Sequence, residues 1–473
     1  RRSDDIPGQQ NLFDEAEMEQ DPSLPEEDTV IREHTRKKKA AHEELFKGLK
    51  VEKVVIPLPE EDRICPVCGT QMVLIGEEYV RRELEFIPAT CKVIEYYSQS
   101  YGCPSCKEGL GDTEKPVIIK SQVPAALVGK GPASASTVAW TMYQKYANGL
   151  PLYRQEKDWK QYGAQISRTT LANWIIYCSQ NYFQPMYDYF HRELLKRSFA
   201  MADETRVQVL NEEGRRAQTQ SFMWLFRSGE DGLPVIILYG YSPTRSGSHA
   251  KEFLEGYSGY LETDGYQGYN NLPGIRRCSC WAHIRRYFID AVPKGKQYDY
   301  SQPGVQGVQY CNRLFAIEDS INKKYPGDYE KRNQMRLEKE KPVLEAFWSW
   351  LDQQKPVRNT RMDKAVNYVL NRRDTAETYL EDGRCSFTNN LSENAIRPFA
   401  VGRKNWLFSS SVEGANASAV VYTMVEMAKA NGLNIYEYLK FLLEHRPSKD
   451  MTDEQLVELA PWSEKLQSIK NRM

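Results

Sequence analysis

The sequence contains no apolar run that approaches the roughly 18–20 residues needed to span a bilayer, and it contains no recognisable signal peptide. Its 63 lysines and arginines are balanced by 64 acidic residues, so the formal net charge of -1 alone indicates nothing about a nucleic-acid partner. Ten cysteines in 473 residues do not resemble a secreted disulfide framework. These absences argue against membrane-spanning and disulfide-rich secreted classes and predict a reducing, cytoplasmic location.

The length allows about two to four domains of roughly 100–200 residues each. Hydrophobic residues make up 41% and charged residues 27%, as in ordinary cored proteins. Residues 1–60 are polar, with an acidic block at 11–30 and the basic run RKKKA from Arg36, and we interpret them as a flexible charged linker. The chain begins with Arg1 rather than methionine, so we expect a fragment or a processed product.

Two cysteine pairs predict a small, β-rich, zinc-ribbon-like module at 61–116. A Cys-x-x-Cys turn brings two thiolates to one tetrahedral ion at about 2.3 Å, and two such turns complete an all-thiolate site. A disulfide or a thioredoxin-like redox pair is the alternative, but the redox pair normally has a single motif beside a βαβ unit. We expect one structural Zn²⁺ held by Cys65, Cys68, Cys103 and Cys106.

The apolar spacing becomes helical in 117–197, for example in LYRQEKDWKQYG and SRTTLANW. A first helix that ends near Gly163 and a second that Ser167 caps would form a helix-turn-helix. The second helix would expose side chains able to reach phosphates and base edges, namely Arg168, Thr169 and Asn173. The alternative is a pair of amphipathic helices that simply pack as a bundle.

After residue 197 the pattern predicts an α/β domain. Three consecutive strands are expected in FAMADETRVQVL, SFMWLFRSG and LPVIILYGY, followed by a helix, two further strands and a helix within 198–300. Residues 301–385 read as a charged helical insertion, 386–430 as the return to the core, and 431–473 as a C-terminal helical element.

Position within this pattern singles out two aspartates. Asp203 lies on the first strand, and Asp264 follows the fourth. In a mixed sheet of the ribonuclease H type these strands lie side by side and parallel, so the two carboxylates would be close. Their repulsion, about 4 kcal/mol at about 4 Å and an effective dielectric of about 20, favours a cation such as Mg²⁺ between them. Taken separately, ADET suits a capping turn and TDGY an Asp-Gly turn.

The segment NNLSENAIRPFAVGRKNW supplies one carboxylate, Glu393, among basic side chains. A third acid on a helix crossing the sheet would complete a two-metal site, and its basic neighbours Arg397, Arg403 and Lys404 would hold a phosphate backbone. Pro398 and Gly402 argue against one continuous helix. The alternative is an exposed i,i+4 pair between Glu393 and Arg397.

The segment CSCWAHIRRYF follows the fifth strand. We interpret Cys280 and His283 as lining of the active site, and Arg285 and Arg286 as phosphate contacts. A Cys-x-x-His pair alone is a weak metal signal, and a buried, hydrogen-bonded His283 is an equal alternative.

These motifs, in this order, resemble the IS66 family of DDE transposases. The resemblance takes in CPVCG, YGCPSC, ISRTTLANW, ADET, TDGYQGYN, CWAHIRRYF and NNLSENAIRPFAVGRKNWLF. It implies a ribonuclease H-like catalytic core interrupted by a helical insertion, with a catalytic triad of Asp203, Asp264 and Glu393. Members usually begin with a leucine-zipper-like helix, which this sequence lacks.

The resemblance implies Mg²⁺-dependent cleavage at the ends of an insertion sequence and transfer of the freed strand into target DNA, with two Mg²⁺ ions at the triad. It also implies a bacterial protein, associated with the nucleoid when bound to DNA, acting as a homo-oligomer and with accessory proteins of the same element. The alternatives are a catalytically inactive zinc-containing DNA-binding protein derived from a transposase, and a nuclease of the same fold that cuts without joining.

Overall fold

The computed structural model describes residues 71, 91–102, 118–129 and 131–470. The expected linker at 1–60 and the four predicted zinc ligands lie outside the described residues. Near the predicted zinc module two short antiparallel strands are described, β1 (Ser100–Gly102) and β2 (Ile118–Lys120). Residues 91–99 form no strand, contrary to the sequence pattern. Their large apolar side chains, including Val93 and Tyr97, are exposed, so that pattern does not correspond to a buried sheet face here.

A layer of four helices precedes the main sheet. They are α1 (Ala135–Tyr146), α2 (Leu152–Gln161), α3 (Arg168–Cys178) and α4 (Gln184–Leu195), with one π-helical turn, Ser179–Phe183, joining the last two. Ser134 and Ser167 cap α1 and α3 by accepting a backbone N–H three residues on, as expected of serine at these positions. Buried residues such as Val138 and Trp174 belong to the same hydrophobic core as one face of the sheet.

The main sheet is mixed and has six strands, five of which form one path of neighbours, while the sixth, Ser409–Ser411, pairs with the first of them in chain order. The elements are β3 (Phe199–Asn211), β4 (Gln220–Ser228), β5 (Ile237–Ser242), α5 (Gly247–Phe253), β6 (Gly259–Thr263), β7 (Ile275–Ser279) and α6 (Trp281–Ala291). The spatial order is β5-β4-β3-β6-β7. The first three strands pair antiparallel, whereas β6 runs parallel to both β3 and β7. The three consecutive strands, and the helix, two strands and helix expected to follow them, are therefore formed.

The two faces of the sheet are buried in different cores, as the alternation of side chains along a strand requires. Ala200 and Ala202 of β3 face the core that includes α1, α3 and α4. Phe199 and Met201 face a second core, built with α6 and the helices that follow. Those helices are α7 (Pro303–Lys324), α8 (Tyr329–Lys339), α9 (Lys341–Asp352), α10 (Arg361–Leu370) and α11 (Arg373–Ala376). The predicted helical insertion is thus present and covers one face of the sheet.

The chain returns to the sheet through α12 (Asn390–Trp406), which is continuous. The interruption expected at Pro398 and Gly402 is wrong. Pro398 lies inside the helix, and Gly402 is buried where an added Cβ would clash with the Tyr422 hydroxyl. Glycine therefore serves close packing at this position and does not end the helix.

The last part of the chain closes the first core. It comprises β8 (Ser409–Ser411), which pairs with β3, followed by α13 (Val412–Ala430), α14 (Ile435–His445), α15 (Asp453–Val457) and α16 (Glu464–Lys470). The apolar spacing of SAVVYTMVEMAKANG predicts a strongly amphipathic helix, but α13, which contains most of this segment, is buried on nearly every side. It covers the outer edge of β5, where Thr423 Oγ1 accepts the backbone N–H of Tyr239 at 2.9 Å. An edge strand is thereby closed to other chains. Among the described helices, none combines the length and apolar character that crossing a bilayer would require.

Candidate active site

Asp203 and Asp264 occupy equivalent positions on neighbouring parallel strands. Met201 of β3 is in register with Glu262 of β6. Each aspartate comes two residues later, so both lie on the same face and at the same level. Neighbouring strands are about 4.8 Å apart, and β6 ends one residue before Asp264, at Thr263. The sheet therefore brings together two carboxylates that are 61 residues apart in sequence (264 − 203).

Glu393 approaches these aspartates from the first turn of α12. Asn389, the residue immediately before α12, is fully buried, and its Nδ2 donates to the carbonyl of Ala202 at 3.2 Å. A second bond runs from Arg227 Nη1 to the carbonyl of Leu391 at 2.9 Å. The beginning of α12 is thus attached to β3 directly beside Asp203, and this attachment fixes where Glu393 lies.

The electrostatics of Asp203 reflect this crowding. Burial, the largest cause, raises the pKa of Asp203 well above its ordinary value. The carboxylates of Glu204, Glu393 and Asp264 raise this pKa further, in that order. Like charges in a poorly solvated site disfavour ionisation unless a cation compensates them. The acids predicted from the sequence therefore lie close enough to interact, and their chemistry suits a hard divalent cation.

Cys280, His283 and Glu393 form a closer cluster. Within the part of the chain that the structure describes, they are the group of three metal-type side chains whose ligand atoms all lie within 4.8 Å of one another. His283 Nε2 is 3.8 Å from Glu393 Oε1. Cys280 is the residue before α6, and its Sγ accepts the backbone N–H of Asn389 at 3.2 Å. Cys280 and His283 are thus located at the site that the sequence predicted them to line.

Two arginines support the turn that carries Asp264. Arg277 of β7 donates to the carbonyl of Asp264 and, at 2.8 Å, to Thr263 Oγ1. Arg372, from the helical insertion, donates to the carbonyl of Gly265 at 2.6 Å. A Cβ at Gly265 would clash with the Arg372 guanidinium, so glycine is needed for this close approach. The insertion therefore helps to hold a candidate catalytic loop, a role that sequence reasoning did not assign to these arginines.

Glu204 is a further acid that sequence reasoning missed. It ion-pairs with Arg245 at 2.5 Å and accepts the Tyr269 hydroxyl at 2.5 Å. Burial raises the pKa of Glu204, and the charge of Asp264 raises it further. Its position next to Asp203 in the sequence was the signal that could have identified it. Because side chains alternate along β3, however, Glu204 is expected on the opposite face of the sheet from Asp203.

Glu262 is the second missed acid. It is fully buried, and among the described residues neither of its carboxylate oxygens has a hydrogen-bond partner. Burial raises the pKa of Glu262 well above its ordinary value, while the charges of Arg277, His283 and Arg336 oppose this shift. The signal that could have identified it is its position two residues before Asp264, which places both side chains on the same face of a buried strand.

The helix-turn-helix residues lie at the surface. Gly163 adopts a positive φ of 85° in the turn between α2 and α3, a conformation that glycine adopts readily. Arg168, Thr169 and Asn173 are all exposed on α3. Their predicted contact with DNA remains a prediction.

The predicted phosphate contacts near the triad differ in how they are engaged. Arg285 Nε donates to Asn312 at 2.7 Å. Arg403 donates to the carbonyl of Arg206 in β3. Burial lowers the pKa of Arg286, and the nearby charge of Glu393 opposes this shift. Arg397 is half-buried on α12 and Lys404 is exposed. Arg403 thus fastens α12 to the sheet in this structure, and binding of a phosphate by it stays a prediction.

An open cleft of about 1450 Å³ begins at Glu393 and extends between α6 and α7. Four arginines contribute to its wall, Arg285, Arg286, Arg313 and Arg332, together with aromatic side chains such as Phe315 and Trp350. The acids Glu230, Glu318 and Asp319 also line the cleft, so its walls are mixed in charge, and the arginine and aromatic side chains are the groups that favour nucleic-acid strands.

Comparison with known proteins identifies the family of this chain. The model of the family described as "Transposase IS66 family" matches residues 130–417, more than half of the chain. The chain belongs to the IS66 transposase family. A second model, the zinc-finger binding domain of IS66 transposases, matches residues 62–107. This range includes all four predicted zinc ligands, so the match indicates a zinc-finger domain and, with the family, DNA as a partner.

Curated proteins resemble the chain over most of its length. The uncharacterized protein y4qI of Sinorhizobium fredii is 28% identical over 450 residues, which cover 92% of this chain and 78% of that protein. The uncharacterized protein y4hP of the same organism is also 28% identical, over 444 residues that cover 89% of this chain and 76% of the relative. Both alignments therefore span most of this chain and about three quarters of each relative.

Proposed function

We propose that this IS66 transposase is a DDE enzyme with a ribonuclease H-like core. The strand order β5-β4-β3-β6-β7, with three antiparallel strands followed by two parallel ones, supports that fold. The helical insertion enters between β7 and α12, which separates the second aspartate from the glutamate. The single observation that carries the proposal is the equivalent register of Asp203 and Asp264, with Glu393 fastened beside them.

Asp203, Asp264 and Glu393 would hold two Mg²⁺ ions. Oxygen ligands from carboxylates are those that Mg²⁺ prefers, and the raised pKa of Asp203 indicates a site that a cation would stabilise. When bound, such ions activate an attacking oxygen and stabilise a leaving oxygen on phosphorus. The residues therefore fit the metal that the family chemistry requires.

The remaining side chains would bind and orient DNA. Arg277 and Arg372 hold the Asp264 turn, so that its carboxylate has a fixed direction. The arginine-lined cleft would neutralise phosphates near Glu393, and Arg168, Thr169 and Asn173 would contact a duplex. Water would first cleave the phosphodiester at an element end, and the freed 3′-hydroxyl would then attack target DNA in one transesterification. Neither step needs a covalent bond between protein and DNA.

Two other functions share parts of this structure. A catalytically inactive DNA-binding protein would keep the zinc finger and helix-turn-helix without needing clustered acids. The cluster of Asp203, Asp264 and Glu393, which costs electrostatic free energy without a cation, favours the enzyme. A nuclease of the same fold would cut but not join strands, so its products distinguish it.

The test is an assay with labelled element ends, Mg²⁺ and a target plasmid. The parent protein should yield cleaved ends and joined products. Asp264→Asn should lower the cleavage rate by about a hundredfold or more, because it removes one ionised oxygen ligand. The matched control is Asp450→Asn, at an exposed position far along the sequence from the triad. Undiminished cleavage by Asp264→Asn would contradict the triad, and cleavage without joining would favour the nuclease.

We further propose that the protein acts on DNA as a homo-oligomer, since an element has two ends to bring together, and with accessory proteins of the same element. Sedimentation of the protein with and without element-end DNA tests the first point. A purely monomeric complex with two ends present would contradict it.

A further inference from the structure

Cys280, His283 and Glu393 carry donor atoms that Mg²⁺ does not select. A thiolate and an imidazole suit borderline-soft ions such as Zn²⁺, whereas Mg²⁺ prefers oxygen ligands throughout. Glu393 thus belongs to two groups of side chains at once. One consists of carboxylates, and the other contains sulfur and nitrogen.

The geometry of the second group is close to that of a zinc site. Bonds of about 2.0–2.3 Å to a tetrahedral ion place ligand atoms roughly 3.3–3.8 Å apart. His283 Nε2 and Glu393 Oε1 are already 3.8 Å apart, and all three ligand atoms lie within 4.8 Å of one another. Contraction by about 1 Å or less would therefore complete three bonds to one ion.

The backbone around these ligands is held firmly. Cys280 is the residue before α6, and His283 follows three positions later in its first turn, where their ligand atoms lie within 4.8 Å of each other. The Cys280 N–H donates to the carbonyl of Thr263 at 3.4 Å, and its Sγ accepts from Asn389. Asn389 in turn bonds to Ala202. The starts of α6 and α12 are thus joined at the cluster, which reduces the entropy cost of assembling the ligands.

The cluster adjoins the open cleft on its Glu393 side. Glu393 and Ala282, which lies between Cys280 and His283 in the sequence, both line the cleft. A site with three protein ligands leaves the fourth position of a tetrahedral ion to solvent, in contrast to closed four-ligand structural sites.

We propose that Cys280, His283 and Glu393 form a binding site for a borderline-soft divalent cation, with Zn²⁺ preferred, and that its occupancy takes Glu393 away from the catalytic Mg²⁺ site. Binding replaces the thiol proton of Cys280, which leaves to solvent, with a bond from sulfur to the metal. No redox change is involved. The inhibitory consequence rests on the proposed function, whereas the binding itself does not.

Binding of Co²⁺ tests for the proposed metal site independently of any assay of catalytic activity. The full-length protein, with its zinc finger already loaded, is titrated with Co²⁺, and the near-ultraviolet sulfur-to-cobalt absorption is measured. One added equivalent should saturate a band in the parent protein. Cys280→Ser should abolish the band, and His283→Asn should weaken Co²⁺ binding on the order of tenfold or more. Cys91→Ser removes an exposed thiol outside the cluster and should retain the band.

A band that persists unchanged in Cys280→Ser would arise elsewhere, for example by exchange at the zinc finger, and would overturn the proposal. Asp264→Asn should still bind Co²⁺, because Asp264 is not a ligand in this cluster. In the cleavage assay, each protein is compared with itself at constant Mg²⁺, with and without one equivalent of added Zn²⁺. Zn²⁺ should slow the parent and should slow Cys280→Ser much less.

The two proposals can fail separately. A cobalt band that depends on Cys280, together with no cleavage under any condition, would leave the metal site standing and reject the enzyme. Normal cleavage with no such band would reject the metal site and leave the proposed enzyme standing. Equal slowing of the parent and Cys280→Ser by Zn²⁺ would reject the inhibitory role.

Discussion

Replacing Arg336 would measure how strongly the helical insertion is tied to the segment that leads to Glu393. The Arg336 side chain is fully buried on α8. Its Nε and Nη2 donate to the two carboxylate oxygens of Glu318 at 2.9 and 2.6 Å. It also donates to three backbone carbonyls just before α12, those of Tyr379 at 3.0 Å, Asp382 at 3.2 Å and Cys385 at 2.9 Å. One side chain therefore fastens the insertion to the chain that enters the candidate site.

The structure sets the expected magnitude. Arg336→Met would deprive the buried Glu318 carboxylate of its bidentate charge partner, leaving only Arg332 at 3.9 Å among the described residues, and would leave three carbonyls without this donor. Removing one partner of a buried ion pair costs about 3–5 kcal/mol. The control is Arg373→Met, because Arg373 pairs with Asp352 at 3.1 Å while both side chains are about half exposed. An exposed pair contributes about 0–1 kcal/mol.

Guanidinium-induced unfolding followed by tryptophan fluorescence gives both values. The free energy of unfolding should fall by about 3–5 kcal/mol in Arg336→Met and by about 1 kcal/mol or less in Arg373→Met. The double variant Glu318→Leu/Arg336→Met should be more stable than Arg336→Met alone, because the Glu318 charge that lost its bidentate partner is no longer buried. Equal losses in the two arginine variants would refute this reasoning.

Three further predictions concern pH, DNA and zinc. Burial raises the pKa of Glu340 to about 8 from its ordinary 4.5, so its stabilising contribution is complete below about pH 4.5 and is lost as pH rises to about 8. The free energy of unfolding of Glu340→Gln, measured at several pH values, should therefore increase relative to that of the parent across this window. A difference that stays constant with pH would contradict the prediction. Arg168→Ala should weaken binding to element ends and reduce its salt slope by about 1, measured by fluorescence anisotropy, whereas exposed Lys449→Ala should change neither. Metal analysis of the reduced protein should find one tightly held zinc that Cys65→Ser loses, and no bound zinc in the parent would refute the finger.

Local patterns were sufficient to predict most elements of this transposase. Buried strands have period-two or continuous apolar runs, so β3, β4 and β5 were predicted from FAMADETRVQVL, SFMWLFRSG and LPVIILYGY. The serine caps of α1 and α3 are equally local, because a hydroxyl that accepts an N–H three residues on needs no distant partner. Patterns were misleading where burial depends on neighbours. Residues 91–99 form no strand, and α13 is buried nearly all round because β5 and the helical layer enclose it.

The sequence by itself determined which residue types are available at the site and the order in which they come. Two aspartates after apolar strands, a glutamate at the head of a basic segment, and a Cys-x-x-His pair are all legible from spacing, because each belongs to one short element. Tertiary structure alone decided which of them meet. Glu393 lies against Cys280 and His283 because Asn389 forms hydrogen bonds both to Cys280 and to β3. These bonds join positions that are 109 and 187 residues apart in the sequence, respectively. Such contacts depend on how the insertion folds over the sheet, and this packing cannot be predicted from the local periodicity of the sequence.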